Sequence, residues 1–321
     1  MFTDICNAIK KSNNILIIPH VNADGDCLGS AYALKLILEE LDKKADVILD
    51  KADCEHRILK IIDGVGTKND VFEPDLVIAV DCADKERMGS RAEAFDNCAV
   101  TVCIDHHPTN DKYATYNYVN PDAAATGEII YELAQFMNIH LTTQIVNNIY
   151  IAIVSDTGGF AYSNTKPHTH SVAAQLLQYG INNAFVNSYL FEMNSKKRME
   201  LMKYAYNSFE TFFDDKISVV SITAEQIKKL NASDDDVGNF VNIPRSLETA
   251  IVAMSFREVD GGNVKVSMRS QLVDVSKLAQ QFGGGGHVRA AGCTVKGTID
   301  EVKKKLVSET EKRIKLEVRL R

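Results

Sequence analysis

Seven cysteines are spread through 321 residues, and no two of them form a C-x-x-C pair. That leaves no thiolate cage for a structural zinc ion. An odd, scattered set fits reduced thiols in a cytoplasmic protein. No apolar run approaches the roughly 20 residues that a membrane-spanning helix needs. The N-terminus carries Asp4 where a signal peptide would have a basic flank, so neither a leader nor a membrane partner is read. Basic residues are not in excess: 36 Lys and Arg face 43 Asp and Glu, a formal charge of −7. Grip on long duplex nucleic acid comes mainly from phosphate neutralisation, so that class of partner is excluded. A short substrate held in a local basic pocket is not. No G-x-G-x-x-G follows the first apolar run, which argues against a dinucleotide-binding oxidoreductase. Internal repeats and low-complexity tracts are also missing.

What is there begins with Ile15 to Ile18, a short apolar run that stops at His20-Val21-Asn22-Ala23-Asp24-Gly25-Asp26. Helical periodicity follows from Ala31 to Leu41. The run reads as a buried strand and the periodic segment as a helix beside it. An imidazole and two carboxylates therefore sit where a strand ends, the edge at which open α/β sheets bind ligands.

Further along, Ala45 to Leu49 reads as a strand and Glu55 to Ile62 as a short helix. Leu76 to Val80 is a strand ending in Asp81, and Cys98 to Ile104 another ending in Asp105-His106-His107. Ala125 to Asn138 and Thr142 to Ser155 read as helices, the second ending at Asp156, and His168 to Tyr179 as one more. Strands alternating with helices predict an α/β fold, a mostly parallel sheet with helices on both faces. At this length two domains are the natural expectation. We place a metal-binding catalytic domain at 1–184, a helical linker at 185–214 and a smaller α+β domain at 215–321. In the last, Ile217 to Ile222, Thr249 to Phe256, Asn263 to Arg269 and Cys293 to Val295 read as strands. Ala224 to Leu230, Asp274 to Phe282 and the basic segment from Asp300 read as helices.

One Asp after a strand is ordinarily a turn or cap residue, and one His in a loop ordinarily does nothing. Four apolar elements each ending in Asp or His point instead to a shared cation site made of His20, Asp24, Asp26, Asp81, Asp105, His106, His107 and Asp156. Converging carboxylates repel one another unless cations neutralise them. The donors outnumber the needs of one ion, so two ions sharing a carboxylate is the economical arrangement, as in enzymes that displace a phosphoryl group in line. Carboxylate and imidazole without thiolate favour Mn²⁺, with Mg²⁺, Co²⁺ or Fe²⁺ as alternatives. Cys82 and Cys103, close to these residues, read as small core fillers.

His20-x3-Asp24-Gly25-Asp26-x2-Gly29-Ser30, then Asp81, Asp105-His106-His107 and Ser155-Asp156-Thr157-Gly158 together resemble the DHH phosphoesterase superfamily. Gly283 to His287 followed by Ala290-Ala291-Gly292 resembles its DHHA1 second domain. The resemblance spans nearly the whole chain and is similar to the nanoRNase and pAp-phosphatase group, and equally to phosphodiesterases of cyclic di-AMP or pApA. It implies two Mn²⁺ ions, one on His20, Asp24 and Asp81, the other on Asp26, Asp81, His106 and Asp156, with Asp81 bridging. Asp105 would orient an imidazole, and His107 would face the substrate. Cys27 stands where a small Ala is common and is expected to point into helix packing.

A glycine run by itself is often a hinge. Here Gly284, Gly285 and Gly286 suit backbone N–H groups around a phosphate, and the resemblance adds His287 and Arg269 as partners of a terminal phosphate. Arg245, Arg289 and the Lys303 to Lys315 stripe read as solvated. The expected substrates are short RNA, pApA, cyclic di-AMP or pAp, and a homodimer is possible. Rival readings are a silent nucleotide sensor and an inorganic pyrophosphatase sharing the metal motifs.

Overall fold

A computed structural model describes residues 2–49, 56–66 and 72–318. The chain forms two compact units, Met1–Met193 and Asn194–Arg321. Among the described residues no helix is long and apolar enough to cross a membrane.

The first unit runs α1 (Thr3–Lys11), β1 (Asn14–Pro19), α2 (Gly25–Glu40), β2 (Lys44–Val47), α3 (His56–Leu59) and β3 (Leu76–Val80). A 3₁₀ turn (Glu86–Arg91), α4 (Ala92–Asp96), β4 (Thr101–Asp105) and β5 (Tyr116–Val119) follow. Helices α5 (Thr126–Phe136), α6 (Thr143–Asp156), α7 (Pro167–Leu177) and α8 (Asn183–Asn187), then a π-helical turn (Ser188–Glu192), complete it. The five strands are parallel in the order β2-β1-β3-β4-β5. The chain leaves β1 for β2 on one side and reaches β3 on the other, so the order reverses at β1 and β3. A crevice opens at such a switch point, beyond the C-terminal strand ends. Pro19 lies opposite Val80, and Val80 opposite Ile104. The residues that follow, His20, Asp81 and Asp105, therefore emerge abreast.

Period-two alternation divides the buried strands between two cores. Ile15, Ile17, Leu76, Ile78 and Val80 pack under the long helices. Leu16, Ile18, Val77 and Ala79 pack on Met88 and Phe95, so the 3₁₀ turn and α4 cover the second face. Helix α2 starts earlier than its apolar periodicity indicates because Asp24 caps it, accepting the Cys27 N–H at 3.1 Å. Residues 50–55 lie outside the described residues, so only the part of the expected Glu55 to Ile62 helix from His56 can be compared, and it is α3.

Small residues let α2, α5 and α6 approach. A Cβ on Gly29 would stand 2.6 Å from the Asn148 carbonyl and 2.9 Å from the Ala152 Cβ. Gly29→Val is expected to cost about 3 kcal/mol through overpacking, read as a lower urea midpoint at unchanged m-value.

The second unit holds α9 (Lys196–Asn207), β6 (Glu210–Phe212), β7 (Ile217–Ile222), α10 (Ala224–Lys229), α11 (Asp234–Val237) and α12 (Asn242–Arg245). It continues with β8 (Val252–Val259), β9 (Asn263–Ser270), α13 (Val275–Gln281), β10 (Gly285–His287), β11 (Ala290–Lys296) and α14 (Ile299–Val318). Its six-stranded sheet is mixed, ordered β10-β11-β9-β8-β7-β6, with only β7 and β8 parallel. One face packs Met254, Val264, Val266 and Met268 beneath Leu278 and Leu306. The segment expected as one helical linker divides instead. Its first part ends at the π-helical turn, and Ser195 caps a new helix, α9, by accepting the Arg198 N–H at 3.0 Å. The end of the glycine run, Gly285–His287, is the edge strand β10.

Candidate metal centre

Three strand ends and two helix ends deliver the site. His20 follows β1, Asp81 follows β3, and Asp105 ends β4 with His106 and His107 after it. Asp26 lies in the first turn of α2 and Asp156 ends α6. Asp81 has φ +56, a left-handed backbone uncommon for a side chain other than Asn or Asp.

Asp81 is the centre of the arrangement. Its Oδ2 lies 3.6 Å from His20 Nε2. Its Oδ1 lies 3.7 Å from His106 Nε2 and 3.6 Å from His107 Nδ1. His106 Nε2 is also 3.7 Å from Asp26 Oδ2 and 3.7 Å from Asp156 Oδ2. The imidazoles are oriented by their other nitrogens. His20 Nδ1 donates to the Val21 carbonyl at 2.6 Å and His106 Nδ1 to that of Ala123 at 3.4 Å. With those protons fixed, each Nε2 turns a lone pair toward the carboxylates, the tautomer a metal ligand needs. Separations near 3.7 Å exceed a direct hydrogen bond and leave room between donors that all face inward.

Charge tells the same story. Asp26 is held well above the usual carboxylate range, by burial first and then by Asp81 and Asp156. Burial also lifts Asp156 to about 6, with Asp81 adding to the rise and His106 opposing it. Burial pushes Asp81 up as well, but the imidazoles of His20, His106 and His107 outweigh it and hold the group low. Burial opposes protonation of His107, yet Asp105 and Asp81 raise it to about 8. Buried acids that repel one another around inward lone pairs suit divalent cations.

Not every expected ligand stands alike. Asp24 caps α2, and among the described residues its carboxylate joins none of the close donor groups that gather around Asp81 and His106, yet burial first and then the Asp81 charge raise it above the usual carboxylate range. Asp105 is fully buried and spends its oxygens elsewhere. It accepts the His106 N–H at 2.8 Å, His107 Nδ1 at 2.7 Å and Asn110 Nδ2 at 2.7 Å. Cys27 does not simply point into helix packing: its sulfur lies close to the donor atoms of His20 and Asp81. It accepts the His20 N–H at 3.3 Å and donates to the Val80 carbonyl at 3.6 Å, and burial keeps it a neutral thiol. Burial likewise raises Cys82 to about 12 and Cys103 to about 11, as inert fillers.

Several supporting residues escape the sequence reading. Thr126 donates its hydroxyl to Asp81 Oδ1 at 2.9 Å. The N–H groups of Thr126 and Gly127, at the start of α5, reach Asp26 at 2.7 and 3.0 Å, and Ser30 donates to it at 3.0 Å. Asp26 thus rests on a helix N-terminus. Asn164 donates to Asp156 Oδ2 at 3.2 Å. Ser30 lies inside the first motif; Thr126, Asn110 and Asn164 stand in segments whose residue types resemble ordinary caps and turns.

In the second unit, Arg269 lies opposite Ala290, which lies opposite His287. In-register neighbours share a face, so Arg269 and His287 flank a small alanine on one side of the sheet. The glycines have structural duties. Gly283, at φ +73, ends α13, its N–H reaching the Gln280 carbonyl at 3.2 Å. A Cβ on Gly284 would stand 2.1 Å from the Gly292 carbonyl, and one on Gly286 2.6 Å from that of Ala290. Gly285 meets nothing within 4 Å.

Known proteins share this organisation. A Thermus thermophilus protein named bifunctional oligoribonuclease and PAP phosphatase NrnA is 32% identical over 289 residues, 88% of this chain and 84% of its own. The crystal structure of an exopolyphosphatase-related protein from Bacteroides fragilis superposes with a TM-score of 0.88 at 25% identity, covering 97% of this chain and 95% of that one. RecJ from Thermus thermophilus, in complex with Mn²⁺, shares the fold at a TM-score of 0.55 and 14% identity, covering 96% of this chain and 53% of its own. The DHH family's N-terminal domain matches residues 14–153, and the DHHA1 domain matches residues 214–316. The chain belongs to the DHH family and carries a DHHA1 domain behind its DHH domain.

Proposed function

We propose that this phosphoesterase hydrolyses short nucleotide substrates, namely oligoribonucleotides of a few units, pApA or pAp, to nucleoside monophosphates, using two divalent ions with Mn²⁺ foremost. The observation that carries the reading is Asp81, which belongs to two close groups of donors at once, one with His20 and one with His106 and His107. The names of the relatives, oligoribonuclease and PAP phosphatase, support the choice of substrate. Divalent ions in such a site lower the pKa of water and neutralise charge on a phosphoryl group.

The residues have separate tasks. His20, Asp26, Asp81, His106 and Asp156 supply donor atoms, and Asp24 adds a carboxylate from its helix cap. Hydrolysis forms a bond from water oxygen to phosphorus and breaks the bond from phosphorus to the ribose oxygen, which must gain a proton. His107 is assigned to that leaving oxygen: Asp105 holds its Nδ1–H and leaves Nε2 to serve the substrate. Arg269 and His287, with Gly284, Gly285 and Gly286 beside them, take a second phosphate of the substrate.

A panel of pAp, pApA, a five-nucleotide RNA and cyclic di-AMP, incubated with MnCl₂ and read by product chromatography, tests the reading. AMP release from pAp or pApA that EDTA abolishes is expected; no release from any of the four would overturn it. Binding without release would identify the sensor. Metal should also stabilise the fold. At a hundredfold excess over its dissociation constant, Mn²⁺ is expected to add about 2.7 kcal/mol, read as a higher melting temperature than in EDTA.

A further inference from the structure

The 3₁₀ turn between β3 and α4 carries Arg87, six residues beyond Asp81. Its backbone is held from several sides. The N–H donates to Asp84 Oδ1 at 2.9 Å, and the carbonyl accepts the N–H of Val21, next to His20, at 2.7 Å. Met88, the following residue, is fully buried in the core of the second sheet face. Gly89 packs so closely that a Cβ there would stand 2.7 Å from Val21 Cγ1. The side chain is treated differently. It is half-buried, and among the described residues it has no hydrogen bond and no ion pair. Lys85, two residues earlier, pairs with Asp96 and lies over the Phe95 ring.

A partly buried guanidinium with no carboxylate partner is costly, because its charge has lost water without gaining a counterion. Its place in the fold supplies the reason. Strand β3 runs between β1 and β4, so the turn that leaves it lies between the segments carrying His20 and His107. The turn is tied to both. The Arg87 carbonyl takes the Val21 N–H, and the Ala83 carbonyl takes the Asp111 N–H at 3.1 Å. The charge itself reaches the centre. Burial and then Asp81 raise Asp24, and Arg87 opposes them; burial resists protonation of His107, and Arg87 adds to that resistance.

Charge balance gives the arginine its task. Five ionised carboxylates, on Asp24, Asp26, Asp81, Asp105 and Asp156, exceed the four charges of two divalent ions. An entering phosphoryl group adds negative charge, spread over its equatorial oxygens during displacement. A planar guanidinium offers two parallel N–H donors that match two phosphate oxygens. Carried on a turn fixed at Asp84, Val21 and Met88, it stands ready and needs little reorganisation. We propose that Arg87 is a catalytic residue, gripping two non-bridging oxygens of the phosphoryl group under attack, on the side where His107 serves the leaving oxygen. The inference rests on the substrates proposed above.

Arg87→Ala in the full chain, assayed on pAp with MnCl₂, tests it. Turnover is expected to fall at least about a hundredfold. Guanidinium chloride, added well below denaturing concentration, should restore at least about tenfold of that loss by filling the vacated place. Two readouts need no turnover. Mn²⁺ should raise the melting temperature of the variant as much as that of the wild type, since a guanidinium donates to no ion. Inorganic phosphate, titrated calorimetrically with MgCl₂ present, should bind the variant at least about tenfold more weakly. Turnover within about fivefold of wild type would overturn the proposal. So would an unchanged phosphate affinity, or a loss that guanidinium does not relieve and that comes with a smaller Mn²⁺ shift. Failure of the substrate reading shows separately, as a wild type that releases no AMP from the panel of substrates.

Discussion

Asp81→Asn is expected to lower Mn²⁺-dependent turnover of pAp by at least about a thousandfold, some 4 kcal/mol of lost transition-state stabilisation. It should also erase the rise in melting temperature that Mn²⁺ produces. Asn keeps the shape of the side chain and tolerates the left-handed backbone at this position, φ +56, so the fold should survive. What changes is one oxygen. Asp81 turns Oδ2 to His20 and Oδ1 to His106 and His107, with the Thr126 hydroxyl also on Oδ1. An amide nitrogen on either side removes a ligand from one ion and sets a donor against an inward-facing imidazole. Among the described residues, Asp81 alone belongs both to the close group with His20 and to the one with His106 and His107. Substituting Asp156, which belongs only to the close group with Asp26 and His106, should therefore hurt less than substituting Asp81. Turnover of Asp81→Asn within tenfold of wild type would dismiss the shared-ligand arrangement. Calorimetric metal titration of the variant would show whether one ion or both are lost.

The parts of this molecule legible in the sequence are those where one force dominates. Leu76 to Val80 is buried on both faces and flanked by turns, so its boundaries follow from hydrophobicity alone. Strand β5, Tyr-Asn-Tyr-Val at a half-exposed sheet edge, carries no apolar run and leaves no such trace. The donors can be collected because each follows a buried element. The residues that hold them in place are a different matter. Thr126, Asn110 and Asn164 matter through distances across 45, 5 and 8 positions, and a hydroxyl or amide in a loop has too many ordinary uses to be singled out. Asp24 shows the opposite limit: a cap and a ligand call for the same residue at the same place, so the spacing His20-x3-Asp24 cannot separate them, and the structure shows the cap. The break between the π-helical turn and α9 is hidden because residues 185–207 are mostly helical on either side of it, and the stop is set by one serine's hydroxyl.

Asp105→Asn is expected to reduce turnover about a hundredfold or more while leaving the Mn²⁺-induced stabilisation in place. Asp105 touches none of the inward-facing lone pairs; its oxygens take only N–H donors, from His106, His107 and Asn110. An amide in this buried position must set its NH₂ against one of them. Facing His107, it sets a donor against Nδ1–H and withdraws the carboxylate charge that favours the imidazolium, so His107 loses its protonated form as a proton donor to the leaving oxygen. Facing Asn110, it meets an amide that cannot turn freely, because Nδ2 also donates to the Cys82 carbonyl at 3.2 Å and Oδ1 accepts the Lys112 N–H at 2.7 Å. Either way a buried polar group goes unpaired, at about 1–3 kcal/mol, and urea unfolding should shift by that amount. The second change Asn110→Asp supplies an acceptor for the new NH₂ and lets the oxygen of the introduced amide return to His107. Asp105→Asn with Asn110→Asp should therefore regain at least about tenfold of the lost turnover, although the Cys82 carbonyl then lacks its donor. If Asp105 were itself a metal ligand, the single variant would instead lose metal affinity, and the paired change would not restore it.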